Sequence, residues 1–436
     1  MTIFASTTLV REIITQQKKG KSCGIYSICS ANLTVLQACL LAYQKQNIPL
    51  LIESTCNQVN QDGGYTGMVP TEFVSCITNL ADKNGIPTKS IILGGDHLGP
   101  YPWKDYPQEY AMKKSIELVK DYVKAGYRKI HIDTTMALAD DPPGFPLDIE
   151  VEAQRAAKLC KVVEESCKDQ TKESAPVYVL GTEVPIPGGV KSDDDALKIT
   201  SVERVRSGLA VYKKIFEESG LSDAWNRMIG FVVQPGVEFG QFQIHEYKSS
   251  LVRPLSQYIE SIPNIVYEAH STDYQLKESL RQMVHDHFAI LKVGPALTFA
   301  YREAVFSLAK IEKILFQDRK DIQLSNLINV VDQAMVEDSQ YWKGYYGGTN
   351  QEKAFARKFS YSDRIRYYWT KNQVMRALDK LIDNLGAVTI PMPLISQFLP
   401  KQYQHIHEGK IPNSPASIIL DHIQEVIERY QSACHC

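Results

Sequence analysis

Paired cysteines are missing from this chain. Its nine cysteines fall at irregular spacings with no C-x-x-C unit, so neither a disulfide framework nor a thiolate zinc knuckle is expected. An odd count in so long a chain reads as reduced thiols in a cytoplasmic protein. The terminal Cys434-His435-Cys436 could grip a soft metal but reads as a frayed tail. Nothing approaches the ~18 consecutive apolar residues of a membrane span. The opening stretch MTIFASTTLVREIITQQKKGKS has no basic segment followed by a long apolar run, so secretion is not expected either. Basic stripes are also lacking. Lys and Arg number 48 against 50 Asp and Glu, net charge −2, and they are spread along the chain, which leaves no expected nucleic-acid or membrane partner. There is no G-x-x-x-x-G-K-[ST] and no glycine triplet after the first strand, so nucleotide-dependent chemistry has no support. No low-complexity stretch, internal repeat or Pro/Ser/Gly linker divides the chain.

What is present is a rhythm. The 436 residues are 44% hydrophobic and 22% charged, the balance of a globular protein. Eight short apolar runs recur: GIYSICSAN (24–32), PLLIESTCN (49–57), SIILGGDHLG (90–99), KIHIDTT (129–135), PVYVLGTEVP (176–185), MIGFVVQPG (228–236), NIVYEAHSTD (264–273) and AILKVGPALT (289–298). Most are continuously apolar until their C-terminal ends, as parallel strands buried on both faces must be. Helical patterns separate them, with Asn32 as a cap, Pro70 as an opening residue, and Gly85 and Gly126 as closing ones. The expectation is an α/β protein: a (β/α)₈ TIM barrel over 1–314, with Tyr301–Gln317 its last helix, and a helical extension over 315–436 packed on it. A polar aromatic loop, YWKGYYGGTNQEKAFARKFSYSDRIRYYW, is expected inside the extension.

Such a barrel builds its active site from the C-terminal strand ends. Strand two ends in Glu53 and Asn57, both candidate substrate contacts. Strand three gives Gly94-Gly95-Asp96-His97, where the glycines allow a tight turn and leave the barrel top open. Strand four supplies Asp133 as a candidate catalytic carboxylate. His131, two residues earlier on the same face, reads as a deeper core layer. Glu183 follows four apolar residues and must be paired or metal-bound, because isolated burial of a carboxylate is costly; a structural salt bridge is the alternative. Strand seven ends in His270. Together His97, Glu183 and His270 offer nitrogen and oxygen ligands from three strands, with Gln234 a fourth, a set suited to a divalent ion: Zn²⁺ first, Mn²⁺ or Mg²⁺ otherwise. A phosphate would be held by loops seven and eight through Ser271, Thr272 and Thr298, with charge from Arg302 and from Arg364 or Arg366. Lys292, in the middle of strand eight, either contacts substrate, forms a Schiff base with it, or pairs with Asp133 or Glu53.

At these residues the chain resembles a known family. CGIYSICSAN, LIESTCNQVNQDGGYTGM, LGGDHLGPYPW, HIDTTM, LGTEVPIPGG, YEAHSTDYQ, LKVGPALTF and YSDRIRYYW together are similar to the tagatose-bisphosphate aldolase accessory subunits, the GatZ/KbaZ family, over nearly the whole length. The resemblance implies a barrel with a helical extension, a sugar-phosphate ligand and either of two roles. One is catalytic: class II-like aldol cleavage, or C4 epimerisation as in some relatives. The other is a subunit that stabilises a separate class II aldolase chain. Older kinase labels on some members do not fit a chain without a nucleotide motif. More distantly, Asp96-His97 and His270-Ser271 resemble the Asp-His and His-Gly-Gly motifs of class II aldolases. That implies Asp96 as the acid/base at the C4 hydroxyl, His97 and His270 as metal ligands, and Glu183 as ligand or second base. Ser271 and Thr272 depart from that pattern by replacing the glycines. A homo-oligomer is expected.

Overall fold

A computed structural model describes residues 4–46, 49–142, 147–168, 174–182, 184 and 197–434. Eight parallel strands close into a barrel: β1 (Ile25–Cys29), β2 (Leu50–Thr55), β3 (Ile91–Leu98), β4 (Lys129–Ile132), β5 (Val177–Gly181), β6 (Met228–Val232), β9 (Val266–Ala269) and β10 (Ile290–Val293). Strand β10 pairs back onto β1, with Ile25 beside Ile290 and Ser27 beside Lys292. Between β6 and β9 the chain makes a two-stranded ribbon, β7 (Glu238–Phe239) with β8 (Ile244–His245). All eight barrel strands fall inside the apolar runs.

Alternation along each strand sorts the interior into layers. The lowest is apolar: Ile25, Leu51, Ile92, Val177, Val266 and Ile290 share one cluster. The helix Thr8–Lys18 seals that end, inserting Val10 and Ile14 into the same cluster. One layer higher the interior becomes ionic. Lys129 Nζ lies 2.8 Å from Glu53 Oε1 and 2.5 Å from Glu268 Oε2, and all three side chains are fully buried. The third layer carries Asp96, His131 and His270.

The two glycines of β3 make room rather than a turn. A Cβ on Gly94 would stand 2.4 Å from Glu53 Oε1, so the space is taken by that carboxylate. Five residues on, a Cβ on Gly99 would meet the Asp133 carbonyl oxygen at 1.9 Å. Gly126, at φ 109°, ends the helix before β4 in the left-handed conformation its position called for.

The C-terminal region departs from expectation in two ways. The helix after β10 starts at Pro295, not Tyr301, and runs to Phe316. The aromatic stretch is not one loop: Thr349 and Glu352 form a reciprocal cap on a helix, Asn350–Phe359, and a 3₁₀ turn follows at Arg364–Tyr368. The last helix, Pro415–Cys434, packs between the helices Lys277–His285 and Leu33–Gln46 and against Pro295–Phe316. It is tied to the barrel where the Gly24 N–H donates to the Cys434 carbonyl and the Tyr430 hydroxyl donates to the Thr272 carbonyl. Cys23 is in a disulfide, against the expectation of reduced thiols throughout; the other described cysteines are free. No described helix is long and apolar enough to cross a membrane.

Candidate metal centre and active site

The open end of the barrel holds a cavity of about 120 Å³. Asp96, His97, His270 and Lys292 reach it from β3, the β9 end and β10. His131 of β4 is fully buried behind them. The three imidazoles pack closely, with ring centroids 4.8 Å apart for His97 and His270, 5.0 Å for His97 and His131, and 5.2 Å for His131 and His270. One ligand atom from each of Asp96, His97, His131 and His270 can be chosen so that all four lie within 4.8 Å of one another.

A carboxylate turns each ring. His97 Nδ1 is 2.8 Å from Asp133 Oδ2, His131 Nδ1 is 2.8 Å from Asp96 Oδ1, and His270 Nε2 is 3.0 Å from Glu268 Oε1. For His97 and His270 such bonds favour the ring proton on the bonded nitrogen and leave the other lone pair for a cation; His131 Nδ1 also faces the His97 backbone N–H, at 3.2 Å. His131 Nε2 is buried with no hydrogen-bond partner. An imidazole nitrogen stranded in this way fits a bound ion, because a buried polar atom without a partner costs about 1–3 kcal/mol. Nitrogen-rich donors with one carboxylate suit a divalent transition-metal ion, Zn²⁺ among them. The backbone is also held off its relaxed state here: His97 (φ 48°) and Ser271 (φ 54°) are both left-handed without being glycine.

The charges follow from burial and neighbours. Burial would raise the Asp96 carboxyl, but His97 and the bond from His131 hold it well below the ordinary carboxylate range. Burial likewise opposes ionisation of Asp133 and Glu268, yet His97 keeps the first at about 2 and Lys129, with His270, the second at about 2. Burial alone would lower His97, but Asp96 and Asp133 outweigh it and lift it. His270 goes the other way, lowered by burial. Lys292 is drawn down to about 8 by burial, while it sits between Glu53 and Asp96, 2.9 Å from Asp96 Oδ1 and 3.7 Å from Glu268 Oε1. At neutral pH it is an ammonium.

The structure brings together Asp96, His97, His270, Asp133 and Lys292 from the residues singled out in the sequence. Asn57, Ser271 and Thr298 line the same cavity. Glu53 does not; it lies beneath, bonded to Lys129 and Lys292, so contact with substrate is corrected to support of the lysines. Gln234 is outside the cluster, its side-chain oxygen accepting the Gly236 N–H at 2.9 Å. Thr272 is turned away: its hydroxyl donates to the Lys292 carbonyl at 2.6 Å and meets the Tyr430 hydroxyl at 3.1 Å. Arg302 packs over Phe299, 4.0 Å from the ring centroid, and Arg364 over Tyr345, and neither lines the cavity. Arg366 does line it. Glu183 lies outside the described residues. His131 is the residue that sequence reasoning set aside as a deeper core layer; its contact with Asp96 on the next strand, at 2.8 Å, carries no sequence signal.

Comparison with known proteins agrees with the resemblance read from the motifs. The family model described as D-tagatose-1,6-bisphosphate aldolase subunit GatZ/KbaZ-like matches residues 10–435. A solved structure titled a probable tagatose 6 phosphate kinase from Sinorhizobium meliloti 1021 is 41% identical, covers 94% of this chain and 100% of its own, and superposes with a TM-score of 0.85. Two solved aldolases are far more remote. The YdjI aldolase of Escherichia coli K12 is 11% identical over 88% of this chain and 98% of its own, with a TM-score of 0.41. The fructose-bisphosphate aldolase of Campylobacter jejuni is 12% identical over 88% and 94%, with a TM-score of 0.46. Likeness at that level carries no functional inference.

Proposed function

The chain belongs to the D-tagatose-1,6-bisphosphate aldolase subunit GatZ/KbaZ-like family, and from that premise we propose that it is itself an enzyme, performing metal-dependent aldol chemistry on a tagatose or fructose phosphate. The outcome is cleavage, or epimerisation at C4. The observation that carries the reading is the cluster at the barrel mouth: one ionised aspartate among three imidazoles, each imidazole aimed by its own carboxylate.

His97, His131 and His270 would hold a divalent ion, which when bound would supply Lewis acidity for the negative charge that develops on the ketose oxygens. The rest falls to the chain's own residues. Asp96 is ionised and takes the proton of the C4 hydroxyl as the C3–C4 bond breaks; the bonding electrons pass to C3 and the C2 carbonyl. Departure of the aldehyde, followed by return of the Asp96 proton to C3 of the enediolate, completes cleavage. Rotation of the aldehyde and re-addition through its other face, with the proton returned by Asp96, gives the C4 epimer. Asp133 fixes the His97 ring. Asn57 offers hydrogen bonds to the sugar. Lys292, paired with Glu53 and Asp96, balances the Asp96 charge; a Schiff base at that lysine is tested separately, by borohydride trapping of an adduct in the presence of substrate.

The word subunit in the family description favours a second reading, in which the chain stabilises a separate class II aldolase without turning over substrate. One experiment separates the two. Purified protein is offered tagatose 6-phosphate and the 1,6-bisphosphate with Zn²⁺, Mn²⁺ or Mg²⁺, then with EDTA. Chelator-sensitive turnover is expected; no turnover with any divalent ion rejects the enzyme. A cytoplasmic homo-oligomer is part of the same proposal, checked by sedimentation of the purified chain.

A further inference from the structure

We propose that the anion anchor of this cavity is Arg366, delivered by the C-terminal extension, and not the loops after β9 and β10. The proposal rests on the reading of the ligand as a phosphate ester, and it relocates the group that grips the phosphate.

The start of a barrel's eighth helix ordinarily offers free N–H groups to a phosphate. Here that place is filled by the chain. Asp273, 3% exposed, accepts the Gly294 N–H at 3.0 Å and the Ala296 N–H at 2.8 Å through one oxygen. Hydroxyls on the same wall are engaged as well: Thr298 donates to Asp363, Thr272 to the Lys292 carbonyl, and Ser271 bonds Glu238. An incoming phosphate would have to displace carboxyl groups already built into the fold.

Two long cationic side chains line the cavity among the described residues, Lys292 and Arg366. Lys292 is matched by Glu53, Asp96 and Glu268. Arg366 is different. Its guanidinium is fixed by the Ser362 carbonyl at 2.5 Å and the Asp363 carbonyl at 3.0 Å, and it donates to the Tyr367 hydroxyl at 2.9 Å. Among the described residues it makes no ion pair. Tyr367 packs edge-on against Tyr65 at 4.5 Å and stacks on Tyr341 at 4.6 Å, and Tyr65 and Tyr367 both line the cavity. The cation is therefore set in place before any ligand arrives, and holding a rigid fork in position is what reduces the entropy lost on gripping a phosphate.

The test is calorimetric titration of inorganic phosphate into the full-length protein and into Arg366→Gln, Arg366→Lys and Arg302→Gln. Removing a charge-assisted contact is expected to weaken phosphate by about 10-fold or more in Arg366→Gln. Arg366→Lys should fall between, because a point charge replaces a fork, and Arg302→Gln should bind like the parent. The proposal is overturned if the parent does not bind phosphate, or if Arg366→Gln binds it equally well. Should Arg366→Gln not fold, Arg366→Lys decides: unchanged affinity overturns it. Binding is read without turnover, so a protein that grips phosphate through Arg366 yet converts no ketose phosphate would reject the enzyme and leave the anchor standing.

Discussion

Removing the Lys129 ammonium tests the reasoning about the barrel interior most directly. Lys129 is fully buried between Glu53 and Glu268, at 2.8 Å and 2.5 Å. At an effective dielectric near 20, each contact is worth roughly 6 kcal/mol of gross attraction. Most of that offsets the desolvation of three charges, so the net worth of the cluster is small, but breaking it is not. Lys129→Met leaves two carboxylates facing one remaining cation, Lys292, which Asp96 also needs. Stranding a buried charge costs about 3–5 kcal/mol, and the variant should lose that much in equilibrium unfolding by guanidinium chloride. Adding Glu268→Gln removes one stranded charge while its amide oxygen can still accept from His270. The double variant should then recover at least about 2 kcal/mol, a coupling energy typical of contacting buried groups. A Lys129→Met protein within about 1 kcal/mol of the parent, or a double variant no better than the single, would refute the ionic layer as a charge-balanced unit.

Three further outcomes are expected. Asp133→Ala, which removes the acceptor for His97 Nδ1–H, should lower Zn²⁺ affinity by roughly 10–100-fold without unfolding the protein, measured by competition with a chromophoric chelator. Gly99→Ala forces a methyl to 1.9 Å from the Asp133 carbonyl oxygen; it should cost about 1–3 kcal/mol or more in unfolding, and tolerance would show that the β3 loop is slack. Asp363 is a pH handle: burial pushes its carboxyl up to about 7. The folded state therefore holds that proton more tightly than the unfolded chain, and the stability Asp363 gives is lost as pH rises from about 4 through 7. Asp363→Asn, which also suits the left-handed backbone there (φ 45°), should flatten that decline, gaining on the order of 2 kcal/mol at pH 8 and little at pH 5. An unchanged slope in pH-dependent melts would contradict it.

The strands were legible because parallel barrel strands must be apolar on both faces, and that constraint is local. Asp96, His97 and His270 were legible for the same reason, as polar residues that end apolar runs. His131 was not. In KIHI it sits among apolar neighbours, and only the Asp96 carboxylate from the next strand, 2.8 Å away, shows that it belongs to the site. The partners that aim each ring are non-local except Glu268, which precedes His270 on the same face. Arg364 and Arg366 are two residues apart, and which of them faces the cavity is set by the 3₁₀ turn and its packing on Tyr341 and Tyr345, which no periodicity reports. The Thr349–Glu352 cap was in plain sight as T-x-x-E, hidden by the polar aromatic composition around it. That Asp273 takes the Gly294 and Ala296 N–H groups was not legible either, since backbone N–H groups are invisible in a sequence.

The barrel wall between the helices Lys277–His285 and Leu33–Gln46 is supplied by residues 415–434. Removing residues 415–434 would leave a flank of β1 uncovered, and such a truncated chain should aggregate although it retains Asp96, His97, His131 and His270.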